Sequence, residues 1–222
     1  MLPVEVLDIG VNNKESFHST FVFDLVGIWP TIRALRVATS NNRLPPGRPN
    51  MNLRQLTFPS ICSAAIIEWL LPPPPPNENS NLRFLDLQKI PEEARAMLSV
   101  HGPSVSTLTL SYQPTFEIAQ VFTNLEELVI EGPCWKGPLS AFPRTLKHIR
   151  LEVLAYVLGD FSPLSNSIVA AIAEELTTLP NLRVISIEKT LTGNKYWSKT
   201  SLSMPGRLAN EAVSLAKAST GE

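Results

Sequence analysis

The chain has little from which to build a redox, metal or catalytic centre. Its 222 residues include two cysteines, Cys62 and Cys134, and three histidines, His18, His101 and His148. The cysteines stand far apart in surroundings unlike any metal or thiol-exchange motif, and read as reduced thiols of a cytoplasmic or nuclear protein. The histidines are as scattered, with no HExxH spacing. There is no GxSxG elbow and no phosphate-cradling glycine loop. The carboxylate pairs Glu92/Glu93 and Glu174/Glu175 sit side by side on helical stretches, where neighbours diverge around the axis. A non-enzyme without cofactor or metal is the expectation. Charge bias is missing too: 19 basic and 20 acidic residues leave a formal net charge of −1, which gives no footing for nucleic acid. No basic start leads into an apolar run, and the most apolar stretch, SIVAAIAEELTTL at 167–179, is too short for a bilayer and carries Glu174 and Glu175, so no membrane segment is expected. Glycine is scarce beside proline, 10 against 20, which points to many punctuated turns.

What the chain does have is a phrase that returns. VEVLDI at 4–9, IRALRV at 32–37, LRQLTF at 53–58 and LRFLDL at 82–87 share aliphatic or near-aliphatic first, fourth and sixth positions. VSTLTL at 105–110, LEELVI at 125–130, LKHIRL at 146–151 and LRVISI at 182–187 continue the series. The fourth positions, Leu7, Leu35, Leu56, Leu85, Leu108, Leu128, Ile149 and Ile185, lie 20 to 36 residues apart, around the period of leucine-rich repeats. On a strand the fourth and sixth side chains share one face and the residue between them points the other way. Such a strand cannot bury its apolar side alone, but units stacked in a parallel ladder bury a continuous strip. Each phrase comes after a Pro or Asn that stops the preceding element. A compact βαβ domain would instead show longer aliphatic runs without the recurring spelling.

Between the phrases, SFHSTFVFDLVG (16–27), SAAIIEWLL (63–71), PEEARAMLSV (91–100), TFEIAQVF (115–122) and SNSIVAAIAEELTTL (165–179) read as helices. The apolar spacing, Pro91 in a first turn and the serines ahead of Ile168 carry that reading. The gaps after 37 and 130 have room only for loops. The expected fold is α/β: an irregular leucine-rich-repeat solenoid, or horseshoe, with about eight parallel strands on the concave face and helices or loops on the convex face. It spans residues 1–190, with 191–222 as a capping segment or flexible tail in which GRLANEAVSLAKAS (206–219) is a candidate capping helix. LLPPPPPNENSN (70–81) reads as a stiff joint rather than a polyproline ligand, since no basic residue flanks it to orient a docking groove. Trp135 reads as a loop tryptophan folded back on the nearest apolar layer.

The phrases NLRFLDL, NLEELVI, TLKHIRL and NLRVISI, with loose spacing and proline-rich joints, resemble the leucine-rich-repeat region of fungal F-box proteins from about Val4 to Ile187. The resemblance implies an F-box that binds a Skp1-type adaptor and repeats that select a protein for ubiquitination. The opening LPVEVLDIGVNN departs from an F-box: Gly10, Val11, Asn12 and Asn13 break a helix at once, and VEVLDI fits the strand phrase. A Skp1-type partner is therefore expected only if an F-box lies upstream, and the first strand edge needs a preceding segment or a partner to shield it. The regular Asn or Cys that comes after the strand in commoner repeats is missing, so no asparagine ladder is expected there. The expected function is a protein-binding module; the alternative is a repeat scaffold or adaptor unrelated to ubiquitin. Its candidate contact residues are the outward strand positions Arg36, Gln55, Phe84, Asp86, Thr107, Thr109, Glu127, Val129, His148, Arg150 and Ser186, a mixture of both signs, hydroxyls and one aromatic that suits a protein epitope. His148 in particular reads as a solvated histidine.

Overall fold

The computed structural model describes residues 4–9, 28–37, 44, 47–58, 61–112, 115–131, 139–155, 179–191 and 197–203, with backbone alone at 9, 139, 151–155, 187–191 and 197–203. Each phrase becomes a strand. They are β1 (Val6–Ile9), β2 (Ala34–Val37), β3 (Gln55–Phe58), β4 (Phe84–Leu87), β5 (Thr107–Leu110), β6 (Glu127–Glu131), β7 (His148–Ala155) and β8 (Val184–Leu191). They lie in sequence order in one open sheet, each parallel to the next. A ninth strand, β9 (Trp197–Ser203), pairs with β8 in the antiparallel sense. The sheet thus runs on past residue 190, into the segment expected to be a cap or tail.

The register explains the repeat. Leu7, Leu35, Leu56, Leu85, Leu108, Leu128, Ile149 and Ile185 are partners in one unbroken row. From Leu35 to Ile149 every member of that row is at most 1% exposed. Full burial of such a side chain is worth about 2 kcal/mol, and the row repeats it at every strand. Covering it are α1 (Ala64–Leu70), α2 (Arg95–His101) and α3 (Phe116–Ala119). Their Ile66, Ile67, Leu70, Leu98 and Ile118 belong to the same hydrophobic cluster as the leucine row. A 3-10 turn, Glu92–Ala94, leads into α2, where a continuous helix from Pro91 was expected. The predicted helices at 16–27 and 206–219, that at 165–179 but for its last residue Leu179, and Trp135, Cys134 and His18 lie outside the described residues.

Two backbone devices hold unit to unit. The carbonyl just ahead of each strand accepts both of the next unit's first two amides. Arg83 and Phe84 donate to Arg54 O at 2.8 and 3.0 Å, Ser106 and Thr107 to Arg83 O at 2.9 and 3.0 Å, and Glu126 and Glu127 to Ser106 O at 2.9 Å each. Before that comes a tight turn closed by the first aliphatic residue's amide, as in Leu125 to Phe122 O (3.1 Å) and Leu182 to Leu179 O (3.1 Å). Its polar residue reaches back to the preceding unit: Thr31 Oγ1 to Val4 O, Asn124 Nδ2 to Pro103 O and Asn181 Nδ2 to Arg144 O, all 2.8 Å. Asn81 Nδ2 donates to Asn52 Oδ1 at 2.9 Å. A polar ladder therefore exists, ahead of the strands rather than behind them. It ties each turn to the unit before it through exposed side-chain bonds.

The polyproline segment is a joint. Glu78 N closes onto Pro75 O at 3.0 Å and Asn77 takes φ 72°. That is a turn with Pro in its second place and Asn in the third, where positive φ is needed. The segment between β2 and β3 is tied to α1 by Arg48 Nη2 to Glu68 Oε1 at 3.0 Å and by Trp69 Nε1 donating to Gly47 O.

Candidate functional site: the sheet face opposite the helices

The face opposite the helices carries two polar rows. One consists of Val6, Ala34, Gln55, Phe84, Thr107, Glu127, His148 and Val184; the other of Asp8, Arg36, Thr57, Asp86, Thr109, Val129, Arg150 and Ser186. All eleven sequence-derived candidates fall in these rows, five in the first and six in the second. Period two on a strand demands this, because each candidate alternates with a core leucine.

Sharing a face is not the same as being reachable. Thr109 (4%), Val129 (0%) and Ser186 (2%) are buried, against the expectation that they stand on the contact surface. Parallel neighbours are about 4.8 Å apart. A short Thr, Val or Ser flanked in register by Asp86 or Arg150 does not project past those longer side chains. Thr57, between Arg36 and Asp86, is buried for the same reason.

A groove of about 560 Å³ opens over β1 to β4. Arg36, Gln55, Phe84 and Asp86 line it; the other seven candidates do not. It is completed by Val6, Asp8, Gln88, Ser111 and Glu131, among others, which the sequence reading passed over. Gln88, Ser111 and Glu131 sit at or just past the strand ends, outside the six-residue phrase, so the phrase gave no reason to include them. Within the groove Arg36 Nη1 lies 3.6 Å from Asp8 Oδ2, and Ser111 Oγ donates to Glu131 Oε2 at 2.9 Å. Half-buried Phe84 is the aromatic in this lining.

Over β6 to β8 the rows meet in a polar chain. His148 Nδ1 is 3.3 Å from Glu127 Oε1, and His148 Nε2 is 2.7 Å from Ser186 Oγ. Nδ1 faces the Glu127 carboxylate, and Nε2 shares a hydrogen bond with the Ser186 hydroxyl. His148 is thus half-buried and held on both sides, not simply solvated. The connectivity is that of an acid–histidine–serine triad. Triad chemistry also needs an approachable oxygen and free amides for an oxyanion. Ser186 is 2% exposed, and the neighbouring backbone pairs in a parallel ladder on β7 and β8. The chain of bonds is an interstrand clamp.

The other described histidine, His101, is on the helix side. His101 is buried at the end of α2, beside a cavity of about 390 Å³ that Pro72–Pro75 and Met51–Leu53 also line. Its Nδ1 lies 2.8 Å from Ser80 Oγ, which itself accepts from Leu82 N at 3.2 Å. Burial lowers the His101 pKa below its ordinary 6.5, against a smaller upward pull from the Leu71 and Pro72 carbonyls. Neither carbonyl completes a hydrogen bond to Nε2. Cys62, buried between β3 and α1 as a free thiol, has its pKa pushed up by burial to about 11.

Among the described residues, no three His, Cys, Asp or Glu side chains converge as metal ligands, and no helix is long and apolar enough to cross a membrane. Comparison with known proteins gives no matching family model, no similar curated protein and no similar solved structure.

Proposed function

We propose that the chain is a non-catalytic protein-binding module, a leucine-rich-repeat solenoid that holds a partner protein on the concave strand face, in the manner of the substrate-recognition repeats of an F-box ubiquitin-ligase subunit. The observation that carries this reading is the groove over β1 to β4. There Arg36, Gln55, Phe84 and Asp86 stand in register on adjacent strands, offering both charges, an amide and an aromatic within a few strand spacings. Mixed polar chemistry around one half-buried aromatic is the composition of a protein epitope. A buried free thiol at Cys62 fits a cytoplasmic or nuclear setting.

The link to ubiquitin rests on the spelling of the repeats alone. Val6–Ile9, in the opening that departs from an F-box, form strand β1, paired with β2. If the chain serves as a plain scaffold instead, the same face binds and a Skp1-type adaptor is never recruited.

Affinity capture from lysate with the full chain and with Phe84→Glu separates these outcomes. A protein retained by the first bait and lost by the second supports the groove; a Skp1-type adaptor on both baits supports the ligase role. Equal capture by the two baits, with equal thermal stability, sinks the groove as the binding site.

A further inference from the structure

Each strand is preceded by one residue whose carbonyl joins the units, and the side chains of those residues form a third row along the rim of the sheet. In order they are Glu5, Arg33, Arg54, Arg83, Ser106, Glu126 and Lys147. Glu126 and Lys147 cancel each other through an ion pair of 2.6 Å. At β2, β3 and β4 the row does something different: three exposed guanidinium groups lie on adjacent units. Among the described residues none has a carboxylate within ion-pair distance.

Like charges on neighbouring strands repel, and local rules broken in this way mark functional positions. Two of the three heads are also held in place. Arg33 Nη1 donates to Asn52 O at 3.1 Å, and Arg83 Nη1 to Ser104 O at 2.8 Å. Each bond uses one of a guanidinium's five N–H donors and leaves the rest of the fork directed outward. The row borders the groove directly, since Ala34, Gln55 and Phe84 come next after the three arginines in sequence.

We propose that Arg33, Arg54 and Arg83 form an anchor for a carboxylate-rich segment of the protein partner, lying across β2 to β4 along the rim. The inference rests on the groove reading and names the partner's chemistry. Three guanidinium groups at strand spacing span about 10 Å, the reach of two or three carboxylates, and Arg–carboxylate contacts are bidentate and geometrically specific. A continuous polyphosphate fits less well. The positive run stops after three units, with Glu5 before Arg33 and uncharged Ser106 after Arg83, so a longer unbroken anion would overrun it.

The test uses the full chain and three fluorescein-labelled probes: a Glu/Asp-rich dodecapeptide, its Lys-rich counterpart and an oligothymidine, read by anisotropy. The acidic peptide is expected to bind at 50 mM NaCl and to weaken about tenfold at 300 mM, as screening shortens the reach of the charges. Arg54→Glu is expected to weaken it about tenfold more, with an unchanged melting temperature; Arg95→Glu, on exposed helix surface, is the control and should change nothing. Equal binding by wild type and Arg54→Glu, equal losses in both variants, or tighter binding of oligothymidine would each overturn the anchor. Lysate capture separates the two readings. A partner lost with Phe84→Glu but kept with Arg54→Glu removes the anchor and leaves the groove. One lost with Arg54→Glu but kept with Phe84→Glu removes the groove and leaves the anchor.

Discussion

Strands β2 to β5 are four residues long, whereas β7 and β8 run to eight. In the first region each strand contributes two or three buried side chains, and after β3, β4 and β5 the chain leaves the sheet to cover them with α1, α2 and α3. In the second, pairing continues from His148 opposite Val184 to Ala155 opposite Leu191, and β8 goes on to pair with an antiparallel neighbour. The difference lies in the residues just past the sixth position of the phrase. After Leu87 comes Gln-Lys-Ile-Pro and after Leu110 Ser-Tyr-Gln-Pro, where proline ends any strand. After Leu151 comes Glu-Val-Leu-Ala, with no proline and with strand-forming Val153, so the ladder extends. Both regions share one core, to which Leu146, Ile149, Leu182 and Ile185 belong, and the second adds a longer run of backbone pairing to it.

That contrast can be broken most sharply at Leu108, fully buried between Leu85 and Leu128. Leu108→Ala is expected to cost about 3 kcal/mol in urea denaturation, the transfer loss plus the residual cavity. Gly102 comes next. A Cβ there would sit 2.6 Å from the Val121 carbonyl oxygen of the following unit, and backbone cannot swing aside as a side chain can. Gly102→Ala should therefore cost about 2 kcal/mol, although its φ of −53° suits any residue. The polar ladder then compares the two regions at equal chemistry. Asn124→Ala and Asn181→Ala each remove one 2.8 Å bond to a turn carbonyl, worth about 1 kcal/mol. The loss is expected in full for Asn124 and in lesser degree for Asn181, whose strand shares eight register pairs with its neighbour. Equal losses would show that strand length contributes nothing to holding a unit.

The gentlest probe is acid. His101 has a folded pKa below its unfolded 6.5, so the unfolded chain takes up the proton first. Its contribution to stability is complete above about pH 6.5 and declines as the pH falls below that value. The melting temperature should drop between pH 7.5 and 5, and His101→Gln should flatten that slope. Alkylation offers a parallel readout. In a Cys134→Ser background, Cys62 should react only as fast as the helix-backed region opens, since burial keeps its thiol protonated at neutral pH.

The strands were legible because one spelling recurs eight times and each copy must bury the same two positions. The outward rows were legible for the same reason. Which of their members stay reachable was not, because the covering of Thr109, Val129 and Ser186 depends on the length of residues on other strands. His148 is a related case: its clamp joins Glu127 and Ser186, brought together only by the register. The rim arginines were in plain view in IRAL, LRQL and LRFL. They went unread because alternation along a strand says nothing of the residue before it.

The repeated carbonyl acceptor makes the units interchangeable parts. Each unit engages its predecessor through one oxygen and two consecutive amides, whatever lies between. Arg83 and Phe84 present their amides to Arg54 O, and Ser106 and Thr107 present theirs to Arg83 O in the same geometry. Excising Arg83 through Val105 would bring Ser106 and Thr107 to Arg54 O with Leu108 falling opposite Leu56. A chain joined in this way can gain or lose a whole unit by recombination at these points and still close its ladder, and intervals between strands as uneven as 20 and 36 residues are the record such a joint permits.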